Sequence, residues 1–267
     1  MLKFISFGSG SSGNCYYLST GTDGLLLDAG VPIRRLKKYL HDCNITLDSI
    51  SNILVTHDHA DHIKSVGAIS SEQNILVHAT KEVLLGIGRN YSVHKKVPAH
   101  LVHVLSKNEQ VRIGEFLVTP FSVPHDSSDN VGYRIEHEGV VFCLMTDVGH
   151  VTEEMKGYIN EANYLVLEAN YDEEMLKNGN YPQYLKERIH GPNGHLSNRD
   201  CGEALANNAT DALKHVWLCH LSEENNHPVL AQKTVEQVLR SYGIIAGKDF
   251  AFDVLKRKVV SPVYELK

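Results

Sequence analysis

Apolar and polar positions along the 267-residue chain fall into short runs separated by Gly, Ser, Thr and Asn. Leu2–Phe7, Cys15–Ser19 and Gly24–Leu27 read as three strands joined by tight turns. Ile33–His41 has helical spacing, with Pro32 where a first-turn proline is tolerated. Asn52–Thr56 is an apolar strand that runs straight into a histidine-rich loop, followed by a helix over Ile63–Ser70, a strand over Ile75–His78 and a short helix over Lys81–Gly86. Two hairpins come next, Val111–Ile113 with Phe116–Pro120 around Gly114, and Val131–Glu136 with Val140–Met145 around His137–Gly139. The remainder alternates helix Thr152–Asn160, strand Tyr164–Glu168, helix Asp200–Ala209 capped by Ser197 or Asn198, strand His215–Cys219, helix Val229–Ser241 and strand Asp249–Val254. Strands then helices, twice over, predict two packed sheets with helices on their outer faces. No linker or low-complexity segment divides them, so residues 1–267 are expected to form one domain.

With 42% apolar and 22% charged residues, the chain has the balance of an ordinary globular protein. Histidine is the outlier, with 16 copies against 5 Cys and 1 Trp, and imidazole is both the commonest metal ligand and a proton carrier near neutral pH. Cys15, Cys43, Cys143, Cys201 and Cys219 lie far apart and form no C-x-x-C pair, which argues against a zinc knuckle or a disulfide framework and for a reducing, cytoplasmic setting. The amino-terminal apolar run breaks at Gly8, too soon for a signal-peptide core, and no run nears the roughly 18 residues that span a bilayer. Neither secretion nor a membrane partner is expected, and nothing in the sequence signals an oligomeric state. A net charge of −6 excludes nucleic-acid binding through global positive charge, so any polyanion must be held locally. The basic clusters Arg34, Arg35, Lys37 and Lys38, and Lys256, Arg257 and Lys258, suit either phosphate contacts or plain solvated faces.

Gly8, Gly10 and Gly13 satisfy the dinucleotide-binding pattern G-x-G-x-x-G after a strand, and Asp28 follows at a suitable distance. That fingerprint needs a helix opening inside the glycine loop, whose N–H groups hold the pyrophosphate. Here the residues after Gly13 are aromatic and β-prone, and Gly21 and Gly24 interrupt the only space for a helix. A tight turn between strands, lining a site formed elsewhere, is the expected role.

The sharpest chemical signal is Thr56-His57-Asp58-His59-Ala60-Asp61-His62. Three imidazoles and a carboxylate in six residues cannot be buried without partners, and a metal ion supplies one. Alternate residues His57 and His59 can point to one ion while the following turn aims Asp61 and His62 at a second. Further candidates end apolar strands: His125 after FSVP, Asp147 after VFCLMT and His220 after HVWLC. Asp58 is expected to point away, as a supporting or exposed residue.

This ordered set, with Asp28, resembles the metallo-β-lactamase-fold hydrolase superfamily over nearly the whole chain, Phe4 to Val254. The resemblance implies an α+β, four-layer αββα sandwich of two mixed sheets, with the site at one sheet edge. It implies that His57, His59 and His125 hold one divalent ion, that Asp61, His62 and His220 hold another, and that Asp147 bridges them. Asp28 would hydrogen-bond the histidine loop from behind. The sequence does not choose between Zn, Mn and Fe. Within the superfamily, a bridging Asp rather than Cys or Ser points to dinuclear phosphodiesterase and glyoxalase-type members. The 72 residues between Asp147 and His220 leave no room for a β-CASP insertion, and no flavodoxin-like extension follows residue 267.

Glu168 and His195 look like the Glu/His pair of RNase Z-type phosphodiesterases. GSGSSGN at Gly8–Asn14, TDVGH at Thr146–His150, GHLSN at Gly194–Asn198 and HLSEENNHP at His220–Pro228 resemble the WalJ/YycJ branch of small, exonuclease-like bacterial proteins. The implied activity is a phosphodiesterase or nuclease, an exonuclease on DNA in preference to RNA. A metal-bridging hydroxide would attack phosphorus, with Asp61, His195 and Glu168 as the catalytic residues and His195 protonating the leaving oxygen. His150, Arg188, Asn226 and His227 are candidate substrate contacts. The alternatives are a glyoxalase-II-type ester or thioester hydrolase, a small cyclic-nucleotide or phosphodiester hydrolase on the same fold, and a non-enzymatic metal scaffold. A thiolate leaves without acid assistance, so Glu168 and His195 discriminate against the thioesterase.

Overall fold

The computed structural model describes residues 1–267. In chain order the strands are β1 (Leu2–Gly8), β2 (Cys15–Ser19), β3 (Gly24–Leu27), β4 (Asn52–Leu54), β5 (Leu76–Ala79), β6 (Val102–Val104), β7 (Val111–Ile113), β8 (Phe116–Ser122), β9 (Val131–His137), β10 (Val140–Met145), β11 (Tyr164–Glu168), β12 (His215–Cys219), β13 (Ala251–Val254) and β14 (Tyr264–Leu266). The helices are α1 (Ile33–Asp42), α2 (Ala60–Ile63), α3 (Val66–Gln73), α4 (Lys81–Arg89), α5 (Glu153–Glu161), α6 (Glu173–Asn178), α7 (Gln183–His190), α8 (Asn198–Asn208) and α9 (Pro228–Ser241).

Two seven-stranded mixed sheets form, in the orders β14-β1-β2-β3-β4-β5-β6 and β13-β12-β11-β10-β9-β8-β7. Three apolar layers account for their stacking. Phe4, Tyr16, Leu18, Phe142, Leu144, Val166 and Trp217 fill the space between the sheets. Ile5, Tyr17, Leu26, Ile53 and Val77 pack under α1, α3 and α4 with Leu36, Ile69 and Val83. Cys143, Met145, Leu165, Leu167, Val216 and Leu218 pack under α5, α8 and α9 with Met155, Leu205 and Val235. Central strands such as YLVLE and HVWLC are apolar at nearly every position because both of their faces are covered. The result is the expected αββα sandwich. No helix is long and apolar enough to cross a membrane.

Strand direction positions the chemistry. β3, β4, β5 and β6 run parallel, as do β10, β11, β12 and β13, while β8 and β9 form antiparallel pairs that return β8 to the direction of β10. The carboxyl ends of β3, β4, β8, β10, β11 and β12 therefore open at one edge of the sandwich.

Several elements differ from the sequence expectation. The helix read over Ile63–Ser70 divides into α2 and α3, because the Ser65 N–H donates to Ala29 O (2.8 Å) instead of continuing a helical ladder. The last strand starts at Ala251, since Asp249 is held in a turn where its Oδ2 accepts from Ile245 N (2.7 Å). β6, α6, α7 and β14 were not foreseen. The glycine loop leads into β2 and no helix opens within it, so the dinucleotide pattern has another cause. At Gly13 (φ 136°) a Cβ would lie 2.8 Å from Gly30 O, and at Gly30 a Cβ would lie 1.6 Å from Asp61 O. These glycines let two loops press against the turn that carries Asp61.

Candidate metal centre

Asp28 leaves β3, the loop His57–His62 leaves β4, His125 follows β8, Asp147 follows β10, Glu168 ends β11 and His220 follows β12. Asp28, Asp147 and His220 all adopt left-handed backbone, with φ of 59°, 56° and 53°. This region costs an L-residue about 1–2 kcal/mol, and its recurrence at three strand exits turns each side chain back over the sheet edge.

Four of the five candidate histidine ligands are held by one ring nitrogen and present the other to the centre. Asp28 is fully buried; its Oδ1 accepts from Thr56 N (2.8 Å), and its Oδ2 accepts from Thr56 Oγ1 (2.9 Å) and His62 Nδ1 (2.7 Å). Because the Thr56 hydroxyl gives its proton to Asp28, it accepts from His57 Nδ1 (2.9 Å). His125 Nδ1 donates to Gly194 O (2.9 Å), and His220 Nδ1 to Glu168 Oε1 (3.0 Å). Nε2 of His57, His62, His125 and His220 is thereby left facing inward.

The free atoms gather into two groups that share one carboxylate. His57, His59 and His125 offer nitrogens within 4.8 Å of one another, with His125 Nε2 3.3 Å from His59 Nδ1. Asp61, His62 and His220 form the second group, in which Asp61 Oδ2 lies 3.7 Å from His62 Nε2 and 3.4 Å from His220 Nε2. Between them, Asp147 Oδ1 lies 3.7 Å from His125 Nε2 and 4.0 Å from His57 Nε2, while its Oδ2 lies 3.2 Å from His62 Nε2. His57 Nε2 is buried with no hydrogen-bond partner. An orphaned imidazole nitrogen facing a shared carboxylate is what a divalent ion would complete.

The electrostatics agree with that donor set. Burial, with His62 nearby, keeps His57 well below the usual imidazole range, and burial lowers His125 too, so both rings are neutral and able to ligate. Burial would also lower His62, but Asp147, Asp28 and Asp61 outweigh it and raise it to about 10. His220 likewise rises well above its ordinary value under Asp147, Asp61 and Glu168, against its burial. Against burial, His62 and His220 draw Asp61 down to about 2, and Asp147 falls well below the carboxylate range. These carboxylates favour the protonated form of His62 and His220, and a bound cation would oppose that effect.

Glu168 is a hub rather than a ligand. Its Oε2 accepts from Val148 N (2.7 Å) and Leu196 N (3.0 Å), and its Oε1 accepts from Nδ1 of His195 (2.8 Å) and His220. With both oxygens occupied, it has little capacity left for a metal. His195 lies against the same centre, 3.8 Å from Asp147 Oδ1, and Glu168 raises its pKa against the effect of burial.

The other candidates divide. Asp58 turns away from the centre; its Oδ1 and Oδ2 accept from Ser128 N (3.1 Å) and Oγ (2.6 Å), and its carbonyl accepts from Asn90 Nδ2 (2.9 Å), tying the histidine loop to two neighbours. Arg188 borders a cavity of about 210 Å³ beside His195 and His220, but its guanidinium is engaged by Asp126, whose Oδ1 is 3.4 Å from His125 Nε2. His150 is exposed and donates through Nδ1 to Pro192 O (2.8 Å). The assignment of Asn226 as a substrate contact is corrected: it is buried, and its amide donates to Ala169 O and Asn170 O (both 2.9 Å). His227 is exposed, and its Nδ1 accepts from Val229 N (3.3 Å) as the cap of α9.

Three uncharged residues that sequence reasoning missed complete the site. Asn14 Nδ2 reaches Asp61 Oδ2 (3.3 Å) and His62 Nε2 (2.8 Å), Asn130 Nδ2 donates to Asp147 O (2.9 Å), and Asn170 Nδ2 donates to His220 O (2.8 Å). The only trace of Asn14 in the sequence is its place at the end of the glycine loop.

Comparison with known proteins agrees with this geometry. A family model described as beta-lactamase superfamily domain matches residues 24–221. The chain is 34% identical over 249 residues to the exodeoxyribonuclease YycJ of Bacillus anthracis, covering 93% of each. It is 32% identical over 264 residues to the exodeoxyribonuclease WalJ of Streptococcus pneumoniae, covering 99% of this chain and 98% of the relative. Among solved structures, Zn(2+)-bound PqqB from Methylobacterium extorquens superposes with a TM-score of 0.73 at 18% identity, covering 97% of this chain and 99% of that one.

Proposed function

Because the chain belongs to the metallo-β-lactamase superfamily of metal-dependent hydrolases, we propose that it is a dinuclear phosphodiesterase acting on nucleic acid, an exonuclease on DNA. The observation that carries this reading is the Glu168–His195 pair beside Asp147. An alkoxide is a poor leaving group and needs a proton, whereas a thiolate does not, so a half-buried acid of this kind favours phosphodiester cleavage over the glyoxalase-type alternative. The two full-length relatives named exodeoxyribonucleases support DNA as substrate.

His57, His59 and His125 would hold one divalent ion and Asp61, His62 and His220 the other, with Asp147 shared between them. When bound, two such ions supply Lewis acidity toward phosphate oxygens and lower the pKa of water held at the centre. PqqB, named as Zn(2+)-bound, makes zinc a natural first choice of metal.

The chain's own residues perform the proton transfer. His195 Nδ1–H stays on Glu168 Oε1, so Nε2–H of the protonated ring is the proton available to the cleft. As water attacks phosphorus and the P–O bond breaks, that proton passes to the departing oxygen. The ring is then neutral and keeps its place through the bond to Glu168. Asp28 and Thr56 fix the rings of His57 and His62, and Asn14, Asn130 and Asn170 hold the backbone and carboxylate around them. The whole of residues 1–267 acts as one unit in this reading, and five free cysteines suit a cytoplasmic setting.

The test is to load metal-free protein with Zn, Mn or Fe separately and offer single-stranded DNA, RNA, bis(p-nitrophenyl) phosphate and a lactoyl thioester. Release of mononucleotides from DNA is the expected outcome. Turnover of the thioester alone would overturn the assignment.

A further inference from the structure

The catalytic centre leaves two basic clusters unused, one in α1 and one 220 residues later in the segment after β13. The fold brings them together, with Tyr39 Oη of α1 donating to Lys258 O (2.8 Å). On α1, Leu36 and Leu40 are buried while Arg34, Arg35, Lys37 and Lys38 are exposed. Arg35 lies one turn before Tyr39 on the same helical stripe, and Arg34 and Lys38 form the adjacent one. Lys37 is engaged by Glu72, and Lys258 lies 3.6 Å from Glu223. Arg34, Arg35, Lys38, Lys256 and Arg257 have no carboxylate within 4.0 Å, although the chain as a whole carries a charge of −6.

This strip adjoins the metal centre. Arg257 NH1 donates to Ser222 O (2.9 Å) and Leu221 O (3.4 Å), the residues directly after His220. Its side chain lies under the glycine loop, where a Cβ on Gly10 would be 2.9 Å from Arg257 Cγ. The same loop ends in Asn14, which touches Asp61 and His62. At the other end, Val31, three residues before Arg34, is in contact with that loop at Gly13.

We propose that α1 and the segment Lys256–Lys258 form a phosphate track that holds the backbone of the nucleic-acid strand leading away from the metal centre. The inference rests on the phosphodiesterase reading above. The occupant is a polyanion because uncompensated cations from two distant parts of an acidic chain converge beside the site, and a strand crossing that site must leave it over some flank. From Arg34 to Lys38 the helix rises about 6 Å, about the spacing of successive phosphates in an extended strand, so the strip suits two to four of them. The track adds affinity for a long substrate and nothing to the chemical step.

The test compares metal-loaded wild type with an Arg34→Gln/Arg35→Gln/Lys256→Gln variant, leaving Arg257 intact. Each is assayed on a single-stranded DNA 20-mer and on bis(p-nitrophenyl) phosphate across a range of salt. Removing three phosphate contacts is expected to lower kcat/KM on the 20-mer about 100-fold at 0.1 M salt and to flatten its log–log salt slope by about 2. The nitrophenyl diester should be turned over unchanged, and the charge-conserving Arg34→Lys/Arg35→Lys variant should retain both rates. Unchanged rates and slope on the 20-mer in the triple variant would overturn the track, as would equal loss in the lysine variant. A wild type that cleaves the nitrophenyl diester but has no salt-dependent activity on the 20-mer would instead overturn the nucleic-acid reading itself.

Discussion

At the scale of single residues, His57, His62, His125, His195 and His220 each have one ring nitrogen committed to a fixed partner. His195 is the clearest case, since Glu168 both orients the ring and raises its pKa. His195→Ala should slow a dinucleotide, whose leaving group is an alkoxide, by about 10²–10⁴-fold and a nitrophenyl diester far less. Equal loss on both substrates would remove the acid role. In a pH–rate profile His195 must be protonated, so activity falls as pH rises through its raised pKa, and Glu168→Gln should move that limb to lower pH. His62 and His220 make a second prediction. The carboxylates around them raise both pKa values in the metal-free protein, so loading should release protons, which calorimetry in buffers of different ionisation enthalpy can count. Proton uptake, or none, would contradict the electrostatics described above. The candidate metal ligands were legible in the sequence because four of them sit in one hexapeptide and the others follow apolar strands. Asn14, Asn130 and Asn170 were not, because a neutral amide leaves no charge pattern and its importance arises only from what the fold sets beside it. Asn226 was misread for the converse reason, since its polarity serves buried carbonyls.

At the scale of elements, long apolar strands and the helices over them could be read from periodicity alone. β6 and β14 could not, because three residues carry no period and neither is joined to its partner by a tight turn as the equally short β7 is to β8. α6 and α7 were hidden by their brevity and polarity, with Asp172 capping the first and only Leu176 and Ile189 buried among their residues. The glycine loop shows how a motif can be right about backbone and wrong about ligand. Its glycines are required for close approach, and Gly30 most of all. Gly30→Ala should destabilise the metal-free protein by at least about 3 kcal/mol, because its Cβ would fall 1.6 Å from Asp61 O. Gly88→Ala in α4, where a Cβ meets nothing within 4 Å, should be neutral or stabilising by up to about 1 kcal/mol. Thermal unfolding of both variants decides the point, and similar stability in the two would count against the packing argument.

At the scale of the whole molecule, the candidate metal ligands divide between the two sheets. His57, His59, Asp61 and His62 hang from the sheet containing β4, and His125, Asp147 and His220 from the sheet containing β10. Bound ions would therefore fasten one sheet to the other at their open edge. Chelation should lower the unfolding temperature in proportion to the binding energy lost, about 4 kcal/mol at a metal concentration 1,000 times Kd. An Asp147→Asn variant should show little further loss on chelation, and a chelator-insensitive wild type would contradict the arrangement.

The same arrangement sets a condition on when the candidate centre can exist at all. Ligands drawn from residue 57 through residue 220, each aimed by a different strand exit, do not exist as a set until both sheets have formed and met. A chain still emerging from the ribosome, or one clipped before β12, carries histidines but no hydrolytic centre. The candidate centre therefore exists only in the assembled sandwich.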